Sequence, residues 1–122
     1  MSRIIYNERD LGMRDYPRGR YEGAISVTKV RNAMRKAGYE LVNASNDRCN
    51  GVLEGSSGFI KDPATGKLVY FSANASACFN GDKVLYRTAK HDRDYTGGVN
   101  RYVEFERLGE AVKELFSRQY AA

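Results

Sequence analysis

The chain has 122 residues, of which 42% are hydrophobic and 29% are charged, and it carries a formal net charge of +5. These values are typical of one globular domain that buries roughly two thirds of its unfolded surface, and they exclude a disordered tail or a collagenous repeat. No run approaches about 18 apolar residues, and charges stand where a signal peptide needs an apolar core. We therefore expect a cytoplasmic protein without a membrane partner.

The first 24 residues are rich in arginine and tyrosine and are interrupted by three glycines and a proline. Because no regular period survives these interruptions, we expect an N-terminal arm at 1–24, with room for a short strand at 3–6. The arm would stay mobile, wrap a neighbouring subunit or lie along an acidic ligand. The remainder, 25–122, would form the core of a single domain.

A helix is predicted between Ser26 and Gly38. Ser26 is a good N-cap, apolar residues follow it at helical spacing, and Gly38 suits the position just after a helix end. The outer face of this helix carries four cations, Lys29, Arg31, Arg35 and Lys36. Such a face is either simply solvated or lies along phosphate groups.

Short apolar runs separated by turn-forming residues predict four or five antiparallel strands. The runs are 39–42, 51–53, 58–61, 67–73 and 83–88. The sequence Asp-Pro-Ala-Thr-Gly at 62–66 should join two of them, because proline fixes one φ and glycine accepts a positive φ. Residues 46–51 and 74–82 are expected to be loops.

The last predicted element is an amphipathic helix near 104–118. Five apolar residues fall on one face, Phe105, Leu108, Val112, Leu115 and Phe116. This face should pack on the sheet. The chain therefore predicts an α+β domain, with an Arg/Tyr-rich arm, one helix, a small antiparallel sheet of four to five strands and the amphipathic C-terminal helix.

Cations, hydrogen-bonding side chains and aromatic residues crowd around a Gly-Gly pair within 86–102. A plain connection needs only about 4 to 6 residues, so we expect a functional loop here. Glycines let backbone N–H groups approach an anion, guanidinium groups bind phosphate, amides pair with a base or ribose, and aromatic rings stack on purines. The candidate ligand-binding residues are Phe79, Arg87, Lys90, Thr96, Gly97, Asn100 and Arg101.

Other interpretations of these residues stay open. A disordered loop would use the same composition, Phe79 could belong to the core, and Arg101 could pair with Glu104 on the helix. For catalysis, His91 is the only histidine, and no motif places a nucleophile beside it. The two cysteines lack metal-ligand spacing. We expect no catalytic residues, no metal, no cofactor and no enzymatic activity; a small enzyme using His91 and its acidic neighbours is the alternative.

The run Arg-Thr-Ala-Lys at 87–90 and the run Tyr-Thr-Gly-Gly-Val-Asn-Arg at 95–101, followed by an amphipathic helix, resemble the phage-encoded anti-Thoeris sponge family. The resemblance covers chiefly the C-terminal third of the chain. It implies an oligomeric, non-enzymatic anti-defence protein that sequesters a cyclic ADP-ribose-like immune signal in the host cytoplasm, in sites shared between protomers. Phe79, Asn100 and Arg101 would fill the family's stacking and polar roles.

A second interpretation belongs to another functional class. A small basic viral protein could lay the cations of the first helix, together with the arm, along nucleic acid, or could inhibit a host protein that handles nucleic acid. The salt dependence of binding distinguishes this function from capture of a small ligand. An open phosphate-binding face loses affinity steeply as the salt concentration rises, whereas a closed pocket does not.

Overall fold

A computed structural model describes residues 4–6, 19–21, 23–49, 51–74 and 83–118. The strands in this part of the chain are β1 (Ile4–Tyr6), β2 (Gly19–Tyr21), β3 (Glu40–Cys49), β4 (Val52–Lys61), β5 (Leu68–Asn74), β6 (Lys83–Ala89) and β7 (Arg101–Glu104). The helices are α1 (Val27–Lys36), a short 3₁₀ turn (Phe105–Arg107) and α2 (Leu108–Ser117). None of these helices is long and apolar enough to cross a membrane.

Helix α1 begins and ends where the sequence predicts. The Ser26 Oγ accepts a hydrogen bond from the Lys29 backbone N–H at 3.2 Å, which satisfies one of the free donors of the first turn. Gly38 follows the helix with a φ of 90°, a left-handed conformation that disfavours any residue with a Cβ. The predicted limits of this helix are therefore confirmed.

Strands β3 to β7 pair antiparallel with their neighbours in chain order, so the predicted α+β class is confirmed. The two short strands of the expected arm add to this sheet. β1 pairs antiparallel with β2, and β2 runs parallel to the first residues of β4. The arm therefore contributes a short parallel pairing to a sheet that is otherwise antiparallel.

Three predicted boundaries are wrong. The runs 51–53 and 58–61 belong to the single strand β4, because the small residues between them are buried instead of forming a turn. Ser56 Oγ donates to the Ile25 carbonyl at 2.9 Å, and a Cβ on Gly55 would overlap the Ala73 backbone. The second error is in the loop expected at 86–102, both ends of which lie in strands, β6 and β7. The third is in the loop expected at 46–51, because β3 continues to Cys49 and pairs there with β4.

Both helices cover the same side of the sheet, which we call the helix face. The buried residues of this core are Val30, Met34, Ile60, Val69, Phe71, Ala73, Val84, Leu108, Val112, Leu115 and Phe116. Tyr39 joins the cluster through its ring, whose centroid lies 5.0 Å from that of Phe116. The C-terminal helix therefore packs on the sheet as its amphipathic pattern predicts.

Side chains alternate along a strand, so the neighbours of these core residues point to the other side of the sheet. We call this side the loop face. Phe59, Tyr70 and Arg87 lie in one row across it, since β4 pairs Phe59 with Tyr70 and β5 pairs Tyr70 with Arg87. The connection between β6 and β7, residues 90–100, folds over this row, and we call it the β6–β7 loop.

Candidate functional site

Asp94 holds the β6–β7 loop together. Its carboxylate accepts hydrogen bonds from the backbone N–H groups of Lys90 at 3.0 Å, Gly97 at 2.9 Å and Thr96 at 3.4 Å. These donors, that of Lys90 first, lower the pKa of the Asp94 carboxyl below its ordinary value, and the charge of His91 acts in the same direction. The loop is therefore built around an internal carboxylate.

A β-bulge ties the loop to the sheet through Asn43. The pairs on either side of the bulge leave Asn43 and Ala44 opposite Gly58 alone, and Asn43 takes a φ of 48°. The Asn43 Nδ2 donates to the Asp92 carbonyl at 2.9 Å and to the Tyr95 hydroxyl at 3.2 Å. A Cβ on Gly58 would overlap Ala44, so glycine allows the bulge to form.

The Tyr95 ring packs the β6–β7 loop against the sheet. Its ring centroid lies 5.5 Å from that of Phe59 and 5.9 Å from that of Tyr70, and the latter two rings are 5.4 Å apart. These separations fall within the range of favourable tilted and edge-to-face aromatic pairs. Phe59 is fully buried, whereas Tyr95 is 52% exposed. One side of the aromatic cluster therefore faces solvent.

Arg87 is the most unusual residue of the loop face, because it is only 7% exposed yet forms no ion pair within the described residues. Its guanidinium carbon lies 4.3 Å from the centroid of the Tyr70 ring, a cation–π contact. Its Nη1 donates to the Asn100 Oδ1 at 3.4 Å. Its Nε and Nη2 are buried, and neither has a hydrogen-bond partner among the residues that the structure describes.

The burial of Arg87 with two unpartnered donors lowers the stability of the folded protein. Each buried donor without a partner costs about 1–3 kcal/mol, and more when it belongs to a charged group. The ion pairs in the described part of the chain join Arg107 to Glu110 and Arg118 to Glu114, both on the surface. Nothing in that part neutralises Arg87, so the loop face carries a desolvated positive charge with free donors.

The structure brings together two of the residues that the sequence singled out, Arg87 and Asn100. Arg101 is not with them, because it pairs with Tyr86 in the sheet and Tyr86 packs toward the helix-face core. The side chain of Lys90 is exposed. Phe79 lies outside the described residues.

Thr96 and Gly97 play a different part from the expected one. We expected their backbone N–H groups to approach an external anion. Instead, both groups donate hydrogen bonds to the Asp94 carboxylate. Sequence reasoning also missed Asn43 and Tyr70. Tyr70 could have been found, because it lies between Val69 and Phe71 in a predicted strand and so must face away from their core. Nothing in the sequence around Asn43 indicates a bulge.

A separate groove of about 710 Å³ lies between α1 and α2. Cations on its walls include Lys29, Lys36 and Lys113, and acids include Glu106 and Glu110. The Lys29 ammonium lies 5.1 Å from the centroid of the Phe105 ring. Of the predicted ligand-binding residues that the structure describes, none lines this groove.

The site offers recognition groups: a guanidinium, an amide and two partly exposed tyrosine rings, those of Tyr95 and Tyr102. Among the described residues, no group of three His, Cys, Asp or Glu side chains could hold a metal ion. The His91 Nδ1 accepts a hydrogen bond from the Arg93 backbone N–H at 3.2 Å, within the loop itself. No protein-family model, curated protein or solved structure matches the chain.

Proposed function

We propose that the protein binds a small nucleotide-derived anion on the loop face and releases it chemically unchanged. The observation that carries this proposal is the burial of Arg87, which has two free donors and no acidic partner in the described part of the chain. Buried charges are ordinarily paired, and exceptions of this kind concentrate at functional sites. An anionic ligand would supply the missing partner and would recover the stability that Arg87 costs.

The surroundings of Arg87 suit the rest of a nucleotide. Asn100 offers an amide that can pair with a base or ribose edge, and Tyr102 lies on the same face, opposite Leu85 in the sheet. Stacking of a base on an aromatic ring contributes about 1–3 kcal/mol. The exposed Tyr95 and Tyr102 rings are therefore the proposed platforms for the base, with Arg87 at the phosphate end.

The resemblance of 87–101 to the anti-Thoeris sponge family supports a biological setting for this proposal. In that setting the protein is a phage anti-defence factor, a homo-oligomer with shared sites that sequesters a cyclic ADP-ribose-like signal in the host cytoplasm. The test is to purify it from cells with active nucleotide-signal immunity, release the ligand by heat and identify it by mass spectrometry. Recovery of no nucleotide, or of a hydrolysed product only, would contradict sequestration.

Binding itself can be tested by calorimetry with ADP-ribose as the probe. We expect saturable binding that weakens by at least about tenfold, or about 1.4 kcal/mol, in Arg87→Gln. Arg35→Gln is the matched control, because it removes the same charge from the exposed face of α1. Equal losses in the two variants would show that only net charge matters, and would contradict a site at Arg87.

A second function is favoured by α1. No ion pair within the described residues involves the cations of this helix, which are Lys29, Arg31, Arg35 and Lys36. Lys29 contacts the Phe105 ring. This face could lie along the backbone of a nucleic acid. Duplex binding that falls on the order of 10³-fold between 50 and 200 mM salt, and that Arg35→Gln weakens but Arg87→Gln does not, would support this function instead.

A further inference from the structure

The two free donors of Arg87 lie on the same edge of its guanidinium group. Nη1 is the terminal nitrogen cis to Cδ, so the N–H of Nε and one N–H of Nη2 point in parallel away from the side-chain stem. This edge matches two oxygen atoms of one carboxylate or phosphate, which it binds through two parallel hydrogen bonds. Nη1, the third nitrogen, is the one used by Asn100.

The guanidinium plane is also fixed before any ligand arrives. Tyr70 lies 4.3 Å from the guanidinium carbon, and the Asn100 contact of 3.4 Å restrains rotation about the last bonds of the side chain. Because the side chain is buried and held in one place, little conformational entropy remains to be lost on binding. The open edge is therefore preorganised.

One acid of the β6–β7 loop, Asp94, is already engaged. The Asp94 carboxylate accepts three backbone N–H groups of its own loop, so filling the Arg87 edge with it would leave those amides without a partner. Within the described residues, Arg87 is in no ion pair. Asp94 could therefore occupy the unfilled edge only with loss of hydrogen bonds in its own loop.

Resting on the proposed function, we infer that Arg87 binds a single two-oxygen anionic group of the ligand, a phosphate or a carboxylate, through its Nε and Nη2 edge. Both nitrogens are buried, so the residues that cover them must shift when the anion enters. The β6–β7 loop, which carries Asn100, is the irregular segment of this face. Lysine cannot replace Arg87 in this role, because an ammonium group lacks the two parallel donors.

The test is the ¹H–¹⁵N resonance of the Arg87 Nε group in the wild-type protein, assigned by its loss in Arg87→Lys. Inorganic phosphate and acetate are titrated separately, at constant ionic strength kept with sodium chloride. We expect a saturable downfield shift of the Hε resonance with at least one of the two anions and none with chloride, and the two titrations tell phosphate from carboxylate preference. No saturable change with either anion would overturn the inference.

A second measurement separates this inference from the proposed function. ADP-ribose binding is compared by calorimetry in the wild type and in Arg87→Lys, after the backbone spectrum has shown that the variant is folded. A loss of at least about tenfold supports the inference. Equal affinity would overturn the inference and leave nucleotide binding standing, whereas a phosphate-induced shift at Arg87 without any binding of ADP-ribose would contradict the proposed function alone.

Discussion

The two faces of the sheet differ in whether their buried polar groups have hydrogen-bond partners. On the helix face, apolar side chains from β4, β5, β6 and both helices are buried together, and the buried Ser56 hydroxyl has a partner in the Ile25 carbonyl. On the loop face, Phe59 is buried as completely, but Arg87, which lies beyond Tyr70 in the same row, has two buried donors without a partner among the described residues. The helix face stabilises the domain, while the loop face keeps a group that costs stability, as ligand sites do.

The largest expected effect comes from truncating one buried phenylalanine on each face of the sheet and comparing the two variants. Phe71 on the helix face and Phe59 on the loop face are both fully buried. We expect Phe71→Ala and Phe59→Ala each to lower the free energy of unfolding in urea by about 3–5 kcal/mol. Only Phe59→Ala should also accelerate hydrogen exchange at Gly97, because Tyr95 loses its ring contact. Equal acceleration in both variants would show that the faces are not independent.

Gly58→Ala should disrupt the β-bulge and thereby loosen the β6–β7 loop. The new Cβ would overlap Ala44, so we expect the unfolding free energy to fall by about 1–3 kcal/mol, as for other overpacked sites, together with loss of the Asn43 contacts to the loop. Gly66→Ala is the control, since Gly66 also has a positive φ of 77° but a Cβ there meets no atom within 4 Å. Equal costs at both positions would indicate backbone strain alone.

Asn43 combines a hydrogen-bonding role with a left-handed backbone, and two substitutions separate them. Asn43→Gly and Asn43→Ala both remove the hydrogen bonds to Asp92 and Tyr95. Both variants must adopt the φ of 48°, which glycine does freely, whereas for alanine it costs about 1–2 kcal/mol. Thermal unfolding should therefore rank wild type above Asn43→Gly, and Asn43→Gly above Asn43→Ala. A reversed order of the two variants would rule out the bulge conformation.

The smallest expected effect is a local pH dependence from Asp94. Its pKa is lowered in the folded protein, so its contribution is present above the unfolded value of about 3.9 and is lost as pH falls through the lower folded value. Gly97 amide exchange, corrected for the intrinsic pH dependence, should lose protection in that acid range. Asp94→Asn should show weakened protection already at pH 7. Full protection of Gly97 in that variant would contradict the role of the carboxylate.

Much of the fold follows from the sequence because its signals are local. Ser26 and Gly38 mark the ends of α1, and the spacing of Leu108, Val112 and Leu115 marks the buried side of α2. The continuity of β4 could not be predicted, since Gly55 and Ser56 have the composition of a turn. Only their packing against Ala73 and Ile25 shows that they are buried strand residues.

The site was harder to predict because it depends on which face each side chain occupies. Arg87 and Asn100 were expected together and lie together, whereas Arg101, one residue further, lies on the opposite face. A one-residue difference changes the face in a strand but not in a loop, and the sequence predicted a loop at this point. The polar composition of 90–100 was visible, but the use of its amides by Asp94 depends on the folded backbone.

The most direct test of the account is the stability of Arg87→Met without ligand, measured by urea unfolding in a buffer free of phosphate and carboxylate. Methionine fills a similar volume without buried donors, so we predict that the unfolding free energy rises by about 1–3 kcal/mol while ADP-ribose binding is lost. A clear fall in stability would show that burial of Arg87 does not destabilise the free protein, and it would contradict the claim that its donors await an anion.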